Sequence, residues 1–365
     1  MHYSSHLTLT TRLSCALPAN IRVFHCSKET AILQQMKTQS WSQLFRAPFQ
    51  AASAPNKPPT LDDIPDLIDQ IMLHSNSETR AAAAKRIYEL CDVAHKENRV
   101  PMVCSAKYDV LTPLAKCLTQ DSGKGRHLAC LALNNLSVPP ENRHAMALGP
   151  ASKDVIGALC RVIAEDKHES YICCICLMNL SFLEASITSI LQYSPPLDDK
   201  ALSPLDNPNS LLRVLEKLLA NAPDVPKSES GKSETDKLLA AAVPKASSSK
   251  SEAVRWTCGS LKNLAKSEEN AALIGKTNIP KYVVENIRAA TDPPSQWKSN
   301  SLEDYALSLI LHLAQWPVCH ETLIRVGAED AIKPVASMND PRGIEAKTVC
   351  ALLEAKKDAL AMIFC

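Results

Sequence analysis

Residues 135–180 read NLSVPPENRHAMALGPASKDVIGALCRVIAEDKHESYICCICLMNL and decide the fold class. Apolar residues recur here at helical spacing, and the stretch is interrupted at Gly149-Pro150. This periodicity predicts three consecutive helices: a short one over 141–148, a second over 153–165 and a longer apolar one over 169–183. Three helices of these lengths in so short a stretch are typical of a helical repeat unit.

The same order of helices recurs elsewhere in the chain. Residues 252–290 and 302–338 repeat it, with Gly275 and Gly327 at the break between the first and second helices. A steep angle between two helices calls for a left-handed residue, which glycine supplies at little cost, so we expect that conformation at these glycines. Upstream, 125–137 supplies another third helix and 79–119 a more degenerate unit.

The leucine near the end of each third helix measures the repeat length. The anchor leucines are Leu90, Leu136, Leu180, Leu264, Leu313 and Leu353. Their intervals are 46, 44, 84, 49 and 40 residues, so one unit is expanded. Inside it, segments at about 193–208 and 221–250 are rich in Pro, Ser and Lys, and we expect them to be low-complexity insertions at the surface.

Composition agrees with an all-α solenoid. Glycine occurs only 9 times in 365 residues, aromatic residues make up 4%, and alternating strand patterns with Asn-Gly or Asp-Gly turns are absent. Such a chain is long for a single compact core but shows no second fold type. We therefore predict about six stacked three-helix units over 61–365, preceded by a separate segment over 1–60.

These motifs resemble the armadillo repeat family. ENRHAMALG, EENAALIGK and TLIRVGAED match the end of that family's first helix, and ALNNLS, LMNLS and LKNLA match the end of its third. The resemblance spans roughly 62–360 and implies a right-handed superhelical solenoid. Two units depart from the pattern, because Glu89 and His312 stand where the family has asparagine.

The resemblance also implies a binding groove along the third helices. In peptide-binding armadillo proteins, asparagines of this helix hold the backbone of an extended peptide, since an amide offers both a donor and an acceptor. The corresponding groove residues here are Asn135, Asn179, Asn263 and His312, with Leu131 and Ile175 one turn earlier and Tyr171, Trp256 and Tyr305 about two turns earlier. Alternatively, the asparagines tie the superhelix internally and the aromatic rings pack between units.

A nuclear-signal receptor is a poor match within this family. Those receptors place tryptophan four residues before the asparagine, where this chain has Leu131, Ile175 and Gly259. The lysine-binding slots are therefore missing.

Net charge indicates the class of partner. The whole chain carries 40 basic and 39 acidic residues; residues 1–60 hold six Lys/Arg against Glu29, which leaves 61–365 at 34 minus 38, or −4. Nucleic-acid binding needs clustered cations, so nucleic acid is an improbable ligand. A protein or peptide partner is expected, and the oligomeric state stays open.

No motif indicates catalysis, a cofactor or a metal. The 14 cysteines are scattered among apolar helical neighbours, which predicts reduced thiols. Cys173, Cys174 and Cys176 have no second Cys/His pair at ligand spacing, so we interpret them as small apolar core residues. Phosphate loops, nucleophile elbows and His-Glu-x-x-His helices are absent, which predicts a protein that is not an enzyme.

The N-terminal segment leaves the location of the protein open. Residues 1–28 are basic and rich in Ser and Thr, like an organelle transit peptide, but a disordered tail or a true start at Met36 explains the same facts. Residues 47–60 resemble a flexible linker. No window reaches the roughly 18 apolar residues of a membrane span. We expect a cytoplasmic protein, with the nucleus possible and organelle targeting by 1–35 as the minority alternative.

Two functional hypotheses follow. One is a scaffold or adaptor that binds an extended partner segment along the groove. The other is a structural subunit that docks through the 193–250 insertions; a solenoid regulating a bound enzyme is a further alternative.

Overall fold

The computed structural model describes residues 59–165, 168–195, 202–221, 246–290, 293–299 and 301–364, without the side chains of 246–250 and 363–364. The predicted segment 1–60 thus lies outside the described residues except for its last two positions. Most of the predicted 221–250 insertion also lies outside them.

The described residues form seventeen α-helices and no strand. In chain order they are α1 (Ile64–Leu73), α2 (Ser77–Cys91), α3 (Arg99–Cys104), α4 (Leu111–Gln120), α5 (Lys124–Ser137), α6 (Pro140–Leu148), α7 (Ser152–Ala164), α8 (Ser170–Leu180), α9 (Ile187–Leu191), α10 (Leu211–Ala220), α11 (Ala246–Leu264), α12 (Glu268–Gly275), α13 (Ile279–Arg288), α14 (Leu302–Ala314), α15 (Pro317–Arg325), α16 (Ala328–Ala336) and α17 (Pro341–Phe364). Short 3-10 turns cover Leu61–Asp63, Lys96–Asn98, Glu184–Ser186 and Pro294–Gln296.

These helices form a stack of six units, which confirms the predicted solenoid. The third helices α2, α5, α8, α11, α14 and α17 pack each on the next, and the second helices α1, α4, α7, α10, α13 and α16 form a parallel layer. The first unit departs from the prediction, because it consists of α1 and α2 alone and has no first helix among the described residues.

The central third helix is buried on all sides. In α8 every residue from Ile172 to Leu180 is buried, since α5 and α11 cover two of its sides and α7 a third. Cysteines permit this close approach: the Sγ atoms of Cys130 and Cys173 lie 3.7 Å apart, and Cys174 Sγ lies 3.4 Å from Thr257 Oγ1. Burial raises the pKa of Cys174 to about 12, so its thiol is neutral. A neutral thiol agrees with the predicted role of this cysteine as a small apolar core residue.

The third helices end at polar side chains supplied by the start of the following unit, either its first helix or the 3-10 turn before it. Asn142 donates through Nδ2 to the carbonyl oxygens of Leu136 (2.9 Å) and Arg99 (2.8 Å). Asn98, Asn270 and Ser186 donate in the same way to the anchor leucines Leu90 (3.1 Å), Leu264 (3.0 Å) and Leu180 (3.1 Å), and His320 Nε2 lies 2.8 Å from the carbonyl oxygen of Ala314. The Glu-Asn pairs at 97–98, 141–142 and 269–270 therefore cap third helices, whose last carbonyl groups lack backbone donors of their own helix.

This capping also corrects one predicted boundary. The third helix predicted over 169–183 ends at Leu180, because Ser181 Oγ donates to the carbonyl oxygen of Met178 (2.7 Å) and Ser186 Oγ to that of Leu180. Side-chain donors at these two positions replace the backbone donors that a longer helix would need.

Only one of the break glycines adopts the predicted left-handed conformation. Gly327 has φ 70°, as expected. Gly149 is extended at φ −73° and ψ −179°, and is needed because a Cβ would lie 2.4 Å from the carbonyl oxygen of Ala145. Gly275 is the last residue of α12, where a Cβ would lie 3.3 Å from Cys319 Sγ. At Gly275 the close approach of the next first helix, and not turn geometry, favours a residue without a Cβ.

The expanded unit contains an ordered loop. The side chain of Asn207 is fully buried and donates to Ser194 Oγ (2.9 Å), while its Oδ1 accepts from the backbone N–H of Asn209 (2.9 Å). Ser210 then caps α10. Downstream, α11 already begins at Ala246, so the predicted 221–250 insertion overlaps the start of a third helix.

Ion pairs link successive units at the opposite end of the third helices. Arg80 in α2 pairs with Asp121 at the end of α4, and Arg126 in α5 pairs with Glu165 at the end of α7 (2.5 Å). The Asp121 side chain is only 1% exposed, so removing Arg80 would leave a buried carboxylate without its partner.

No single described helix is long and apolar enough to cross a membrane. One pair, Ser170–Leu180 with Glu184–Leu191, reaches the required length and composition but is bent by 115°.

The cap supplied by Asn142 gives a direct stability prediction. Asn142→Ala removes both bonds to these carbonyl groups, which should lower the free energy of unfolding by about 1–3 kcal/mol. Urea unfolding followed by circular dichroism measures it. Asn135→Ala is the matched control, because that half-buried side chain makes no hydrogen bond within the described residues. Equal unfolding midpoints for the two variants would contradict the capping role.

Candidate binding groove

The wall formed by the third helices carries a polar residue just before the anchor leucine in the first five units, and Leu352 stands there in the sixth. This polar row consists of Glu89, Asn135, Asn179, Asn263 and His312. All five lie on third helices that the structure describes. Asn179 and Asn263 are 4% and 3% exposed, whereas Asn135 and His312 are half-buried.

The two buried asparagines are bonded to the preceding unit. Asn179 Nδ2 donates to Ser137 Oγ (2.9 Å), and Asn263 Nδ2 donates to Ser181 Oγ (3.0 Å). Each serine hydroxyl donates in turn to a carbonyl oxygen of its own helix, 2.7 Å away in both cases. The asparagines thus tie neighbouring units together, which was one of the two alternatives left open by the sequence.

The amide oxygens of these asparagines have a different environment. Within the described residues neither oxygen accepts a hydrogen bond, and neither is among the fully buried atoms that lack a partner. The oxygens are therefore not used by the stack. A ligand on the wall can donate to them, although the donor half of each amide is already used.

The Asn-Leu-Ser repetition explains where these pairs form. Serine follows the anchor leucine at Ser137 and Ser181, and each of these serines meets the asparagine of the next unit. After Leu264 the chain has Ala265, and the next unit has His312 in place of asparagine. His312 Nδ1 lies 2.8 Å from the carbonyl oxygen of Ser308 on its own helix. Sequence reasoning considered the asparagines alone and missed their serine partners.

At the other end of the row, Asn135 has no serine to bond. The equivalent position of the preceding unit is Cys91, whose thiol is directed to the carbonyl oxygens of Tyr88 (3.5 Å) and Ala132 (3.8 Å). Leu131, one turn before Asn135, is also half-buried, whereas Ile175 is only 3% exposed. The accessible part of the predicted groove is therefore centred on α5.

Trp256 and Tyr305 pack between units. Trp256 is 4% exposed, donates through Nε1 to Glu252 Oε2 (3.0 Å), and has the Arg255 guanidinium 4.2 Å above its ring. The Tyr305 ring lies 6.0 Å from that of Trp256 and covers Gly259, where a Cβ would lie 3.4 Å from the tyrosine ring. Burial raises the pKa of Tyr305 to about 12. Two of the three predicted aromatic groove residues are thus covered by the protein itself.

Tyr171 belongs to a more accessible cluster with two histidines. The His168 ring stacks on that of His127 at 6.0 Å and meets that of Tyr171 edge-on at 5.7 Å. Tyr171 is half-buried and His168 is exposed. Sequence reasoning did not predict this histidine–tyrosine cluster of His127, His168 and Tyr171.

The buried thiols of the third helices are poor nucleophiles. Burial raises the pKa values of the wall cysteines Cys174, Cys176 and Cys258 to about 12, which opposes the thiolate that a nucleophile requires. In the part of the chain that the structure describes, no group of three or more His, Cys, Asp or Glu could hold a metal ion.

Comparison with solved structures identifies an armadillo-type repeat fold. The chain is similar to a designed armadillo repeat protein (TM-score 0.55, 14% identity, covering 80% of this chain and 99% of that one). It is also similar to a designed armadillo repeat protein in complex with the peptide (KR)4 (TM-score 0.54, 13% identity, 80% and 99% coverage). An engineered protein matches at TM-score 0.53 and 16% identity, with 80% and 97% coverage. At these identities the likeness concerns the fold.

Sequence comparison adds nothing to this result. No protein-family model matches the chain, and no curated protein matches it.

The histidine–tyrosine cluster predicts a pH dependence of stability. Burial lowers the pKa of His127 below its ordinary 6.5, so the unfolded chain binds this proton more readily than the folded one. The contribution of His127 is therefore intact above pH 6.5 and is lost as the pH falls through the lowered pKa. Thermal unfolding between pH 8 and pH 5 should show a smaller drop in midpoint for His127→Gln than for the wild type. An unchanged drop would exclude His127 as a source.

Proposed function

We propose that this protein is a non-catalytic adaptor that binds an extended segment of a partner protein along its third-helix wall. The observation that carries the proposal is the polar row. Asn135 presents a complete amide there, and Asn179 and Asn263 present amide oxygens on the next two third helices. These groups can bond a peptide backbone without regard to its side chains.

The geometry of an extended chain suits this row. Alternate backbone N–H groups of an extended segment point to the same side, so they can donate to successive amide oxygens along the wall. Asn135 can both donate and accept, and Leu131 and Tyr171 offer apolar surface beside it. The strongest contacts are therefore expected near α5 and α8.

A preference for basic segments is not part of this proposal. The similar designed protein binds (KR)4, but in this chain the Arg255 guanidinium lies over Trp256, where a partner cation would otherwise contact the ring. Arg255 also pairs with Glu252 at 3.0 Å. Backbone bonds and apolar contacts, not lysine or arginine side chains, should dominate recognition.

A structural subunit that docks through its loops is the second candidate. It is favoured by the ordered loop around Asn207, whose buried side chain holds a surface excursion in one conformation. Regulation of a bound enzyme remains a further alternative with the same overall architecture. We also propose a cytoplasmic location, because the 11 cysteines among the described residues are all free thiols and 14 scattered cysteines suit a reducing compartment.

Substitutions on and off the wall separate the two candidates. Leu131→Glu places a charge in the accessible groove and should weaken a partner identified with the wild-type chain by about tenfold, equivalent to about 1.4 kcal/mol. Lys153→Glu is the control, because it adds the same residue at an exposed position of the second helix α7. Affinity purification with quantitative mass spectrometry identifies the partner, and titration with the purified partner measures the change.

Deletion of residues 222–245 tests the second candidate, docking through the insertion. If that deletion releases the partner while Leu131→Glu does not, the partner docks through the insertion and the groove proposal fails. Matching thermal midpoints of all variants would show that folding is not the cause.

A further inference from the structure

A second surface with binding character lies at the edge formed by the first helices, away from the third-helix wall. Elsewhere these helices pack directly on each other: α3 on α6, α6 on α9, and α12 on α15. At the last of these junctions Cys319 Sγ lies 3.2 Å from the carbonyl oxygen of Ala271. No comparable packing joins α9 to α12, so the layer is interrupted within the expanded part of the array.

The interruption leaves a cavity of about 370 Å³. Its lining residues are Gln192, Pro204, Glu269, Ala272, Leu273 and Lys276. Pro204 comes from the ordered loop around Asn207, and Gln192 Nε2 bridges the gap by donating to Glu269 Oε1 (2.7 Å). The loop thus occupies part of the space that a neighbouring first helix would fill in a regular array.

The floor of this cavity is apolar and its two ends carry opposite charges. Ala272 and Leu273 are half-buried in the middle of α12, whereas Glu269 and Lys276 are exposed seven residues apart on the same helix. Seven helical residues span about 10 Å. Three residues of a polyproline II segment span about 9 Å and bring the side chain back to the same face.

We propose that this first-helix cavity binds a short segment of a partner protein in the polyproline II conformation, in which one aliphatic residue lies between a basic and an acidic residue three positions apart. The aliphatic side chain occupies the apolar floor. The basic residue pairs with Glu269 and the acidic residue with Lys276. This site is independent of the groove proposed above, since it shares no residue with it.

Three synthetic peptides test this specificity: acetyl-AKLAEA-amide, acetyl-AKLAKA-amide and acetyl-AELAEA-amide. Each is titrated into the full chain, and methyl NMR signals of Ala272 and Leu273 are followed. The wild type should bind the mixed-charge peptide about two- to fivefold more tightly than the other two, as expected for exposed ion pairs. Glu269→Lys should shift the preference to AELAEA, and Lys276→Glu should shift it to AKLAKA.

A variant that fills the cavity is the second test of this proposal. Ala272→Trp occupies the floor and should weaken AKLAEA by about tenfold or more, because even one displaced methylene contact in an apolar pocket is worth that much. Ala355→Trp, at an exposed position of α17, is the matched control and should leave affinity unchanged.

Three results would overturn the proposal: no saturable shift of the Ala272 and Leu273 methyl signals, peptide preferences that ignore both charge variants, or shifts centred on Leu131 in the groove. If Ala272→Trp does not fold, the two charge variants still decide the question. Failure here leaves the groove proposal intact, because that proposal depends on Leu131 and the polar row.

Discussion

The polar contacts at the end of each third helix are the interactions on which the stack depends. A helix terminus exposes unpaired carbonyl groups, and in a solenoid these ends lie inside the array, away from water. The following unit supplies the missing donors: Asn142 to Leu136, Asn270 to Leu264, and Ser186 to Leu180. Because each donor belongs to the next unit, one unit cannot satisfy its own backbone without its neighbour.

The ends of the third helices also limit which groups on the wall can bind a ligand. Ser137 and Ser181 complete their own helix ends and then receive the amides of Asn179 and Asn263, so these asparagines serve the stack before they can serve a ligand. What remains for binding is the acceptor half of each amide, together with the full side chain of Asn135. Where the hydroxyl is missing, at Ala265, the asparagine is replaced by His312, which bonds to its own helix. Stacking and recognition are therefore coupled along the wall.

Periodicity and the anchor leucines predicted the fold, because a repeated apolar pattern with short breaks leaves few ways to bury every face. The same reasoning placed the ends of the third helices within three residues of the observed ones in the first five units, whereas α17 continues to Phe364, well past the anchor Leu353. It failed for Gly275, since a single sequence does not show whether glycine is needed for φ or for close approach. It also could not decide whether Trp256 and Tyr305 are exposed, because both outcomes place an aromatic residue on the same helical face. The first-helix cavity arises from an insertion whose path only tertiary structure defines.

The pair formed by Asn179 and Ser137 tests this account most directly. A double-mutant cycle with Asn179→Ala, Ser137→Ala and the combined variant measures the coupling between the two side chains in urea unfolding. The account predicts a coupling of about 0.5–1.5 kcal/mol, the net value of a buried hydrogen bond. Strict additivity of the two substitutions would show that the asparagine does not bind its neighbouring unit, and would contradict the coupling of stacking to recognition.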